Sequence, residues 1–261
     1  EPCVSPDGKR VVFTVDRMDK KDKKYYRNIH IVGTNGKNKR QLTFGQRNDH
    51  SPAWSPSGTT IAFISKRETT SQIWLLPMDG GESRPLTRLS RGAVSHIRWS
   101  PDGRNILFLF HPLGKEVKVD QEGKPETPAY RHIQEIWYRL DGEGYFDSEN
   151  THVWVANTRS RSGAAKQLVT GDYDDLHPCW SPDGNEIAFV SLRETDWRYR
   201  PEEQEIYRVP AHGGPIKIVG TPAGPKDGGI SYSPDGQSIA YIGHDQPHRG
   251  WGTVNSILNA V

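Results

Sequence analysis

Residues 180–189 read Trp-Ser-Pro-Asp-Gly-Asn-Glu-Ile-Ala-Phe, and this stretch contains the pattern that decides the fold. Its Ser-Pro-Asp-Gly tetrad has turn chemistry, because proline presets φ at the second position and glycine accepts a left-handed backbone at the last. After the turn, Ile187 and Phe189 are two positions apart and therefore lie on one face of an extended strand. The stretch predicts a β-hairpin with this turn between its two strands.

The same turn occurs at five places in the chain. Its first residues are Ser5, Ser55, Ser100, Ser181 and Ser233. The residue before each serine is a large apolar or aromatic one: Val4, Trp54, Trp99, Trp180 and Tyr232. An aromatic residue follows each turn glycine by five positions: Phe13, Phe63, Phe108, Phe189 and Tyr241. A repeat of this kind is typical of an array of similar supersecondary units.

Two further strand segments follow each of the first four hairpins, and one follows the fifth. The third strand is predicted at 29–32, 73–76, 153–156, 206–209 and 257–261, and the fourth at 41–43, 85–87, 167–170 and 217–219. We name the four strands of a unit a, b, c and d. Units of four antiparallel strands with turn and aromatic signatures are typical of β-propeller blades. A β-sandwich is the competing interpretation, but a sandwich does not require the same turn sequence five times.

We therefore predict an all-β fold, a β-propeller of four-stranded antiparallel blades. About five blades of an expected seven are present, so the ring is expected to be incomplete. The predicted boundaries are 1–45, 46–89, 90–171 with an inserted hairpin at 130–156, 172–220, and an incomplete fifth blade at 221–261. The open blade edges suggest self-association.

Composition excludes several other classes of protein. No run approaches the 18 apolar residues of a membrane-spanning helix, which argues against a membrane partner. The net charge is only +2, and acidic residues interrupt the basic cluster at 17–27, which indicates a solvated loop and no nucleic-acid partner. Two cysteines cannot form a disulfide framework, which favours a reducing, cytoplasmic location. Periplasmic or secreted locations stay open, because Glu1 is not an initiator methionine.

The blade pattern resembles the repeats of TolB-type propellers and of the prolyl oligopeptidase family of serine peptidases. Residues 138–146 (Tyr-Arg-Leu-Asp-Gly-Glu-Gly-Tyr-Phe), followed by His-Val-Trp-Val at 152–155, are similar to an extra blade hairpin of acylaminoacyl peptidases. Residues 167–175 and 240–245 are similar to the same group. The resemblance extends over essentially the whole chain.

This resemblance implies a propeller that caps an α/β-hydrolase domain carrying a Ser-Asp-His triad. The expected partners are that hydrolase domain, from the same parent chain, and a peptide substrate that is often N-acylated. The alternative is a TolB-like propeller that serves as a protein-interaction platform with no enzyme attached. A propeller enzyme with its own tunnel chemistry has no supporting residue cluster. Extending the sequence beyond Val261 would separate the first two hypotheses.

The chain itself offers no catalytic residues, no metal ligands and no cofactor motif. A nucleophile elbow requires Gly-x-Ser-x-Gly, which is absent from the sequence. The His-Gly-Gly-Pro string at 212–215 resembles an oxyanion segment, but its position between strands c and d predicts a turn. The acidic string at 141–145 does not have the ligand spacing of an EF-hand. His50 and His177, near Asp49 and Asp175, are expected to orient loops.

The longest insertions fall between strands b and c. They are predicted at 16–27, 111–150, 191–204 and 243–255, whereas all a–b turns are tight. Insertions on one end of a repeat protein often mark its binding face. Candidate contacts to substrate or to the hydrolase domain are Tyr145, Phe146, Trp197, Tyr199, His248 and Arg249.

Overall fold

A computed structural model shows the arrangement of these units. It describes residues 2–67, 70–114, 117–119, 126, 130, 132–133, 138–141, 144–145, 149–194, 203–220, 224–226, 228–244, 246 and 256–261. These residues form strands and turns, with no helix among them. The described residues thus include no helix that is long and apolar enough to cross a membrane.

Alternating side chains and tight turns produce a series of antiparallel sheets. The first sheet contains β1 (Cys3–Val4), β2 (Arg10–Asp19), β3 (Lys24–Gly33) and β4 (Arg40–Gln41). The second contains β5 (Asp49–Trp54), β6 (Thr60–Ser65), β7 (Gln72–Pro77) and β8 (Arg84–Pro85). In both sheets the strands follow one another in chain order, as the sequence predicts for a blade.

The third sheet has an insertion. It contains β9 (Gly92–Trp99), β10 (Asn105–Pro112), β13 (His152–Asn157) and β14 (Ala165–Gln167), in that order across the sheet. Between β10 and β13 the chain forms a separate hairpin of β11 (Arg139–Leu140) and β12 (Gly144–Tyr145).

The last two sheets repeat the same order. The fourth contains β15 (Asp175–Trp180), β16 (Glu186–Ser191), β17 (Glu205–Pro210) and β18 (Lys217–Ile218). The fifth has three described strands, β19 (Ile230–Tyr232), β20 (Ile239–Gly243) and β21 (Ile257–Ala260). The predicted all-β fold of four-stranded antiparallel blades is confirmed.

The chain divides into two compact units. The first comprises Glu1–Phe108 and Trp154–Lys166, and the second comprises Leu109–Val153 and Gln167–Val261. In the first unit, β5 packs against β2 and β3, and β9 packs against β5 and β6. In the second unit, β15 packs against β19. Each unit therefore buries apolar side chains between successive sheets.

The repeated aromatic and β-branched positions form the core. In the first unit the buried cluster contains Val12, Ile29, Ile31, Trp54, Ile61, Phe63 and Leu76. In the second unit it contains Ala188, Val190, Ile206, Ile239 and Tyr241. The core therefore follows from the period-2 pattern of strands b and c.

The Ser-Pro-Asp-Gly turns share one hydrogen-bond pattern. In the fourth blade the Ser181 hydroxyl donates to Asp183 Oδ1 at 2.6 Å and accepts the backbone N–H of Glu186 at 2.9 Å. Asp183 Oδ1 also accepts the backbone N–H of Asn185 at 3.0 Å. Gly184 has a φ of +74°, which a residue with a Cβ adopts only at a cost. The turn closes because serine and aspartate each accept a backbone N–H and glycine adopts the left-handed backbone.

This pattern predicts a pH dependence of stability. Hydrogen bonds from Ser181 and Asn185 hold the pKa of Asp183 below its ordinary value. The resulting stabilisation is complete above the unfolded pKa of about 3.9 and is lost as the pH falls through the lower folded pKa. In urea unfolding, we expect Asp183→Asn to lower the free energy of unfolding more at pH 6 than at pH 2.

The second blade provides the matched control, because its turn has Ser57 where the other turns have aspartate. Ser57→Asp is expected to raise the free energy of unfolding at pH 6 and to have less effect at pH 2. Equal effects of Asp183→Asn at both pH values would contradict this account of the turn.

A β-bulge lies in strand a of the second and fourth blades. A left-handed backbone occurs three residues before the blade aromatic, at Ser51, His96, His177 and Gly229. The register of β5 with β6 shifts between His50 and Ala53, and that of β15 with β16 shifts between Leu176 and Cys179. A bulge re-aims the side chains beside it. Asp49 and Asp175 are the first residues of β5 and β15, just before the bulges in chain order, and both are fully buried.

The basic cluster at 17–27, expected as a solvated loop, is mostly exposed, but most of it belongs to strands. β2 and β3 continue through this segment as a paired hairpin, with Asp16 opposite Arg27 and Asp19 opposite Lys24. The Arg27 guanidinium donates to Asp16 Oδ2 at 2.8 Å, so these two charges are paired across the strands. Opposite charges directly across an antiparallel pair stabilise the extended form.

Candidate functional site

A buried ionic network lies at the end of the blades that carries the b–c and d–a connections. Asp175, the first residue of β15, is 0% exposed. Its Oδ1 accepts a hydrogen bond from the Arg193 guanidinium at 2.6 Å, and its Oδ2 lies 3.0 Å from His152 Nδ1. The three residues come from three segments of the second unit: β13, β15 and the chain just after β16.

Backbone pairing brings these segments together. The Asp175 N–H donates to the Thr151 carbonyl at 2.8 Å, which joins the start of β15 to the residue before β13. Asp175 lies opposite Ser191, the last residue of β16, so the chain leaving β16 brings Arg193 to the carboxylate. The network therefore ties the b–c connection of the fourth blade to strand c of the third.

Aromatic rings surround the guanidinium of Arg193. Its central carbon lies 5.3 Å from the ring centroid of Tyr173, 5.5 Å from that of Phe189 and 5.6 Å from that of Tyr207. Cation–π contacts of this kind are stronger where water is excluded. Burial, together with a hydrogen bond to Glu205, raises the pKa of the Tyr207 hydroxyl well above its ordinary value. This hydroxyl thus remains protonated near neutral pH.

A second layer of polar contacts continues this network toward the surface. The Thr151 N–H donates to Asp174 Oδ1 at 2.7 Å, and the Asn150 amide donates to Asp172 Oδ1 at 3.1 Å. His111 Nδ1 lies 3.1 Å from the Thr151 hydroxyl. The acidic cluster at 172–175 therefore organises the d–a connection through hydrogen bonds.

The second blade carries related residues in a different arrangement. Phe-Ile-Ser-Lys-Arg at 63–67 repeats as Phe-Val-Ser-Leu-Arg at 189–193, so Arg67 corresponds to Arg193 and Asp49 to Asp175. Arg67 stacks on Trp74, with 3.9 Å from its guanidinium carbon to the ring centroid. Within the described residues, the buried carboxyl oxygens of Asp49 make no hydrogen bond. Only the fourth-blade copy of the two forms the hydrogen-bonded ion pair.

Lys226 is a buried cation in the connection that precedes β19. Its side chain is fully buried, and its Nζ donates to the carbonyls of Gln204 and Gly224. Desolvation by burial lowers the pKa of Lys226 to about 8, although the charge of Glu205 opposes that shift. The amine holds the connection against the segment that leads into β17.

The network has the chemistry of a positioning site. Asp175 accepts from His152 and so favours the tautomer with a proton on Nδ1, leaving Nε2 as an acceptor. A nucleophilic triad also requires a hydroxyl or thiol within reach of that nitrogen, and no hydrogen bond of this kind occurs within the described residues. The described residues also contain no group of three or more His, Cys, Asp or Glu side chains that could hold a metal ion.

Of the six contact residues predicted from sequence, the structure places Tyr145. It lies on β12, is 47% exposed, and its ring centroid lies 6.2 Å from that of Tyr138. The Arg139 guanidinium carbon lies 5.6 Å from the Tyr145 centroid. The inserted hairpin thus presents two exposed tyrosines and an arginine. The other predicted contacts, Phe146, Trp197, Tyr199, His248 and Arg249, lie outside the described residues.

His50 and His177, which are expected from the sequence to orient loops near Asp49 and Asp175, lie at the bulges of β5 and β15. Asp175 pairs with His152 and Arg193, while His177 adopts the left-handed backbone of the bulge. His50 Nδ1 lies 3.1 Å from the neighbouring Ser51 hydroxyl. Sequence reasoning missed His152 and Arg193, although the repeated Phe-x-Ser-x-Arg string contained a signal for the arginine.

The predicted turn at 212–215 is confirmed. Gly213 and Gly214 have φ values of +87° and +150°, and the Gly213 N–H donates to the Pro210 carbonyl at 2.8 Å. The string joins β17 to β18 and has no oxyanion role to fill there.

Comparison with known proteins identifies the architecture. A family model described as the TolB beta propeller domain matches residues 1–127. The first 127 residues therefore carry the repeats of a TolB-type β-propeller domain. The uncharacterized peptidase YuxL of Bacillus subtilis is 33% identical to this propeller over 210 residues, which are 79% of the chain and 31% of YuxL. Dipeptidyl-peptidase 5 of Porphyromonas gingivalis is 29% identical over 258 residues, which are 93% of the chain and 36% of that protein.

A solved structure shows the same fold. Acylaminoacyl peptidase of Pyrococcus horikoshii matches 95% of this propeller with a TM-score of 0.68 and 19% identity, over 36% of its own chain. The resemblance inferred from the blade motif and the inserted hairpin is confirmed by these matches. The propeller spans about a third of the length of the two curated relatives.

Proposed function

We propose that this propeller is the non-catalytic domain of a serine peptidase, in which it caps the active site and admits peptides, N-acylated ones included. The observation that carries the proposal is the match to two peptidases over about a third of their length. The missing Gly-x-Ser-x-Gly motif supports a division of labour in which another domain supplies the nucleophile. A cytoplasmic location belongs to the same proposal.

The proposal assigns the working face to the end with the b–c and d–a connections. Long insertions and the network of Asp175, Arg193 and His152 are both at this end. A buried network fixes the positions of the loops that it joins, and fixed loops suit a surface that docks a second domain or aligns a peptide. In this proposal Tyr145, Phe146, Trp197, Tyr199, His248 and Arg249 contact the hydrolase domain or the substrate.

Hydrogen exchange tests this orientation. Exchange is measured on this chain alone and within a longer polypeptide that includes the hydrolase domain. We expect the b–c connections and the 138–145 hairpin to gain protection in the longer protein, with the Ser-Pro-Asp-Gly turns unchanged. Protection confined to those turns would refute the assignment of the working face.

The chain by itself is expected to have no peptidase activity, because it lacks a nucleophile elbow. The measurement is hydrolysis of acyl-amino-acid chromogenic substrates by the purified 261-residue chain. Turnover that a serine-directed covalent inhibitor abolishes would contradict the division of labour. The longer polypeptide, assayed in parallel, is the positive control and is expected to hydrolyse the same substrates.

The second candidate function is a protein-interaction platform with no enzyme attached. It is favoured by the family model, which describes a propeller domain alone. The exposed tyrosines of the 138–145 hairpin suit a binding surface as well as a domain interface. A natural protein without a hydrolase domain, together with a lack of peptide hydrolysis, would favour the platform.

A further inference from the structure

An arginine covers the blade tryptophan between the first two blades. Arg10, the first residue of β2, lies with its guanidinium carbon 4.8 Å from the ring centroid of Trp54. Its Nη2 also donates to the Gly58 carbonyl at 3.4 Å. Trp54 in turn donates its indole N–H to the Cys3 carbonyl at 3.2 Å and is 7% exposed. A guanidinium from the preceding blade therefore seals this junction.

The junction between the second and third blades has the same frame but no such arginine. Trp99 donates its indole N–H to the Ala53 carbonyl at 3.1 Å, as Trp54 does to Cys3. The position that corresponds to Arg10 is Thr60, because the N–H groups of both residues donate to the first serine of their turn. Threonine is too short to cover the ring, and Trp99 is correspondingly less buried than Trp54.

A cavity of about 360 Å³ opens where the arginine is missing. Its lining includes Thr60, Trp99, Gly103, Glu82 and Asp102, all of which belong to the first unit. Gly103 corresponds to Gly58, the carbonyl acceptor of Arg10. The cavity therefore offers an aromatic face, a backbone acceptor and two carboxylates, which together suit a cation.

One cation is already part of the lining. Arg84 donates to the carbonyls of Thr158 and Ser160, at 2.6 Å and 3.5 Å, so its guanidinium is held at the wall. Arg104 Nε, outside the lining, lies 3.7 Å from Asp102 Oδ2, so the two arginines balance Glu82 and Asp102. Within the described residues Glu82 is the lining carboxylate without an ion pair, and an entering guanidinium can donate to it.

We propose that this cavity binds a guanidinium group, which stacks on Trp99 and donates to Gly103 and the neighbouring carboxylates as Arg10 does in the preceding blade. Arginine suits the site better than lysine, since a planar guanidinium stacks on a ring and offers several donors in a fixed fork. The cavity lies at the Ser-Pro-Asp-Gly end, opposite the proposed working face. It is therefore a binding site separate from the capping function.

The test uses the indole N–H signal of Trp99 in ¹⁵N-labelled 261-residue chain, assigned by its loss in Trp99→Phe. The probes are N-acetyl-arginine-N-methylamide, which represents a peptide arginine, free L-arginine, and the neutral N-acetyl-citrulline-N-methylamide. We expect a saturable shift with the capped arginine and a dissociation constant on the order of 10 mM, because one partly desolvated cation–π contact supplies only part of the binding free energy that a millimolar constant requires. Comparison of the two arginine probes distinguishes a peptide source from the free amino acid.

Two substitutions exchange the residues that face the tryptophan at the two junctions. Thr60→Arg places the missing side chain in the cavity and is expected to abolish the ligand-induced shift while the thermal unfolding transition is kept. Arg10→Thr uncovers Trp54 and is expected to create a second saturable shift, at the Trp54 indole, without loss of the first. This second variant tests the argument even if Thr60→Arg fails to fold.

Three results would overturn the proposal. Equal binding of the citrulline probe would show that the positive charge is not recognised. Binding that persists in a folded Thr60→Arg protein would place the ligand elsewhere. A folded Arg10→Thr protein without a second site would show that arginine coverage does not decide access to the tryptophan.

Discussion

Replacing Arg193 with leucine is expected to lower the free energy of unfolding by about 3–5 kcal/mol, the cost of leaving a buried charge without its partner. Asp175 is fully buried, and the Arg193 side chain that donates to it is 14% exposed. Without the guanidinium, the carboxylate keeps only the contact with His152. The measurement is urea unfolding at pH 7, followed by both circular dichroism and tryptophan fluorescence.

The same blade provides a control for the loss of an arginine. Arg208 pairs with Glu186 at 3.4 Å, but the two side chains are 45% and 36% exposed. Exposed ion pairs contribute about 0–1 kcal/mol, so Arg208→Leu is expected to change stability little. Similar decreases in the free energy of unfolding for the two variants would show that Asp175 has access to water or to another cation. That result would contradict a structural role for the network.

Replacing Trp54 with alanine is expected to lower the free energy of unfolding by about 3–5 kcal/mol, the usual range for truncation of a buried aromatic residue. The ring belongs to the buried cluster of the first unit and carries Arg10 on its face. Its removal leaves a cavity and also deprives the Cys3 carbonyl of a donor. The measurement is again urea unfolding with two optical probes.

Exposed and conservative changes provide the controls. Tyr25→Ala removes an exposed aromatic side chain from β3 of the same unit and is expected to cost less than about 0.5 kcal/mol. Trp54→Phe retains an aromatic ring and is expected to cost less than Trp54→Ala. A loss below about 1 kcal/mol for Trp54→Ala would be incompatible with a buried ring. Trp180 is less buried than Trp54, so its truncation is expected to cost less.

The two largest effects concern two different levels of organisation. The blade tryptophan lies at a repeated position, which is Trp in three of the five repeats. Asp175 and Arg193 form an ion pair that the equivalent residues of the second blade, Asp49 and Arg67, do not form. The repeat therefore supplies the scaffold, and a deviation between its copies supplies the candidate site.

The sequence by itself determined the blades and their turns, because these depend on neighbours close in the chain. Serine, proline and glycine, with aspartate in four of the five turns, close the a–b turns through contacts within six residues. A two-residue alternation assigns the buried face of strand b. These local rules predicted the buried positions of Phe63 and Phe189 and the turn at 212–215. They were sufficient for the fold.

Only the tertiary structure decided which polar groups meet. Asp175 is joined to His152 across 23 residues and to Arg193 across 18, and no local pattern specifies either pair. The left-handed backbone at His177 and the paired strands at 16–27 also depend on the strand alongside. A side chain from the preceding blade decides whether a blade tryptophan is covered. Arg10 covers Trp54, whereas Thr60 leaves Trp99 more exposed. Such contacts form only after the chain has folded, since their energies depend on burial and on neighbours distant in sequence.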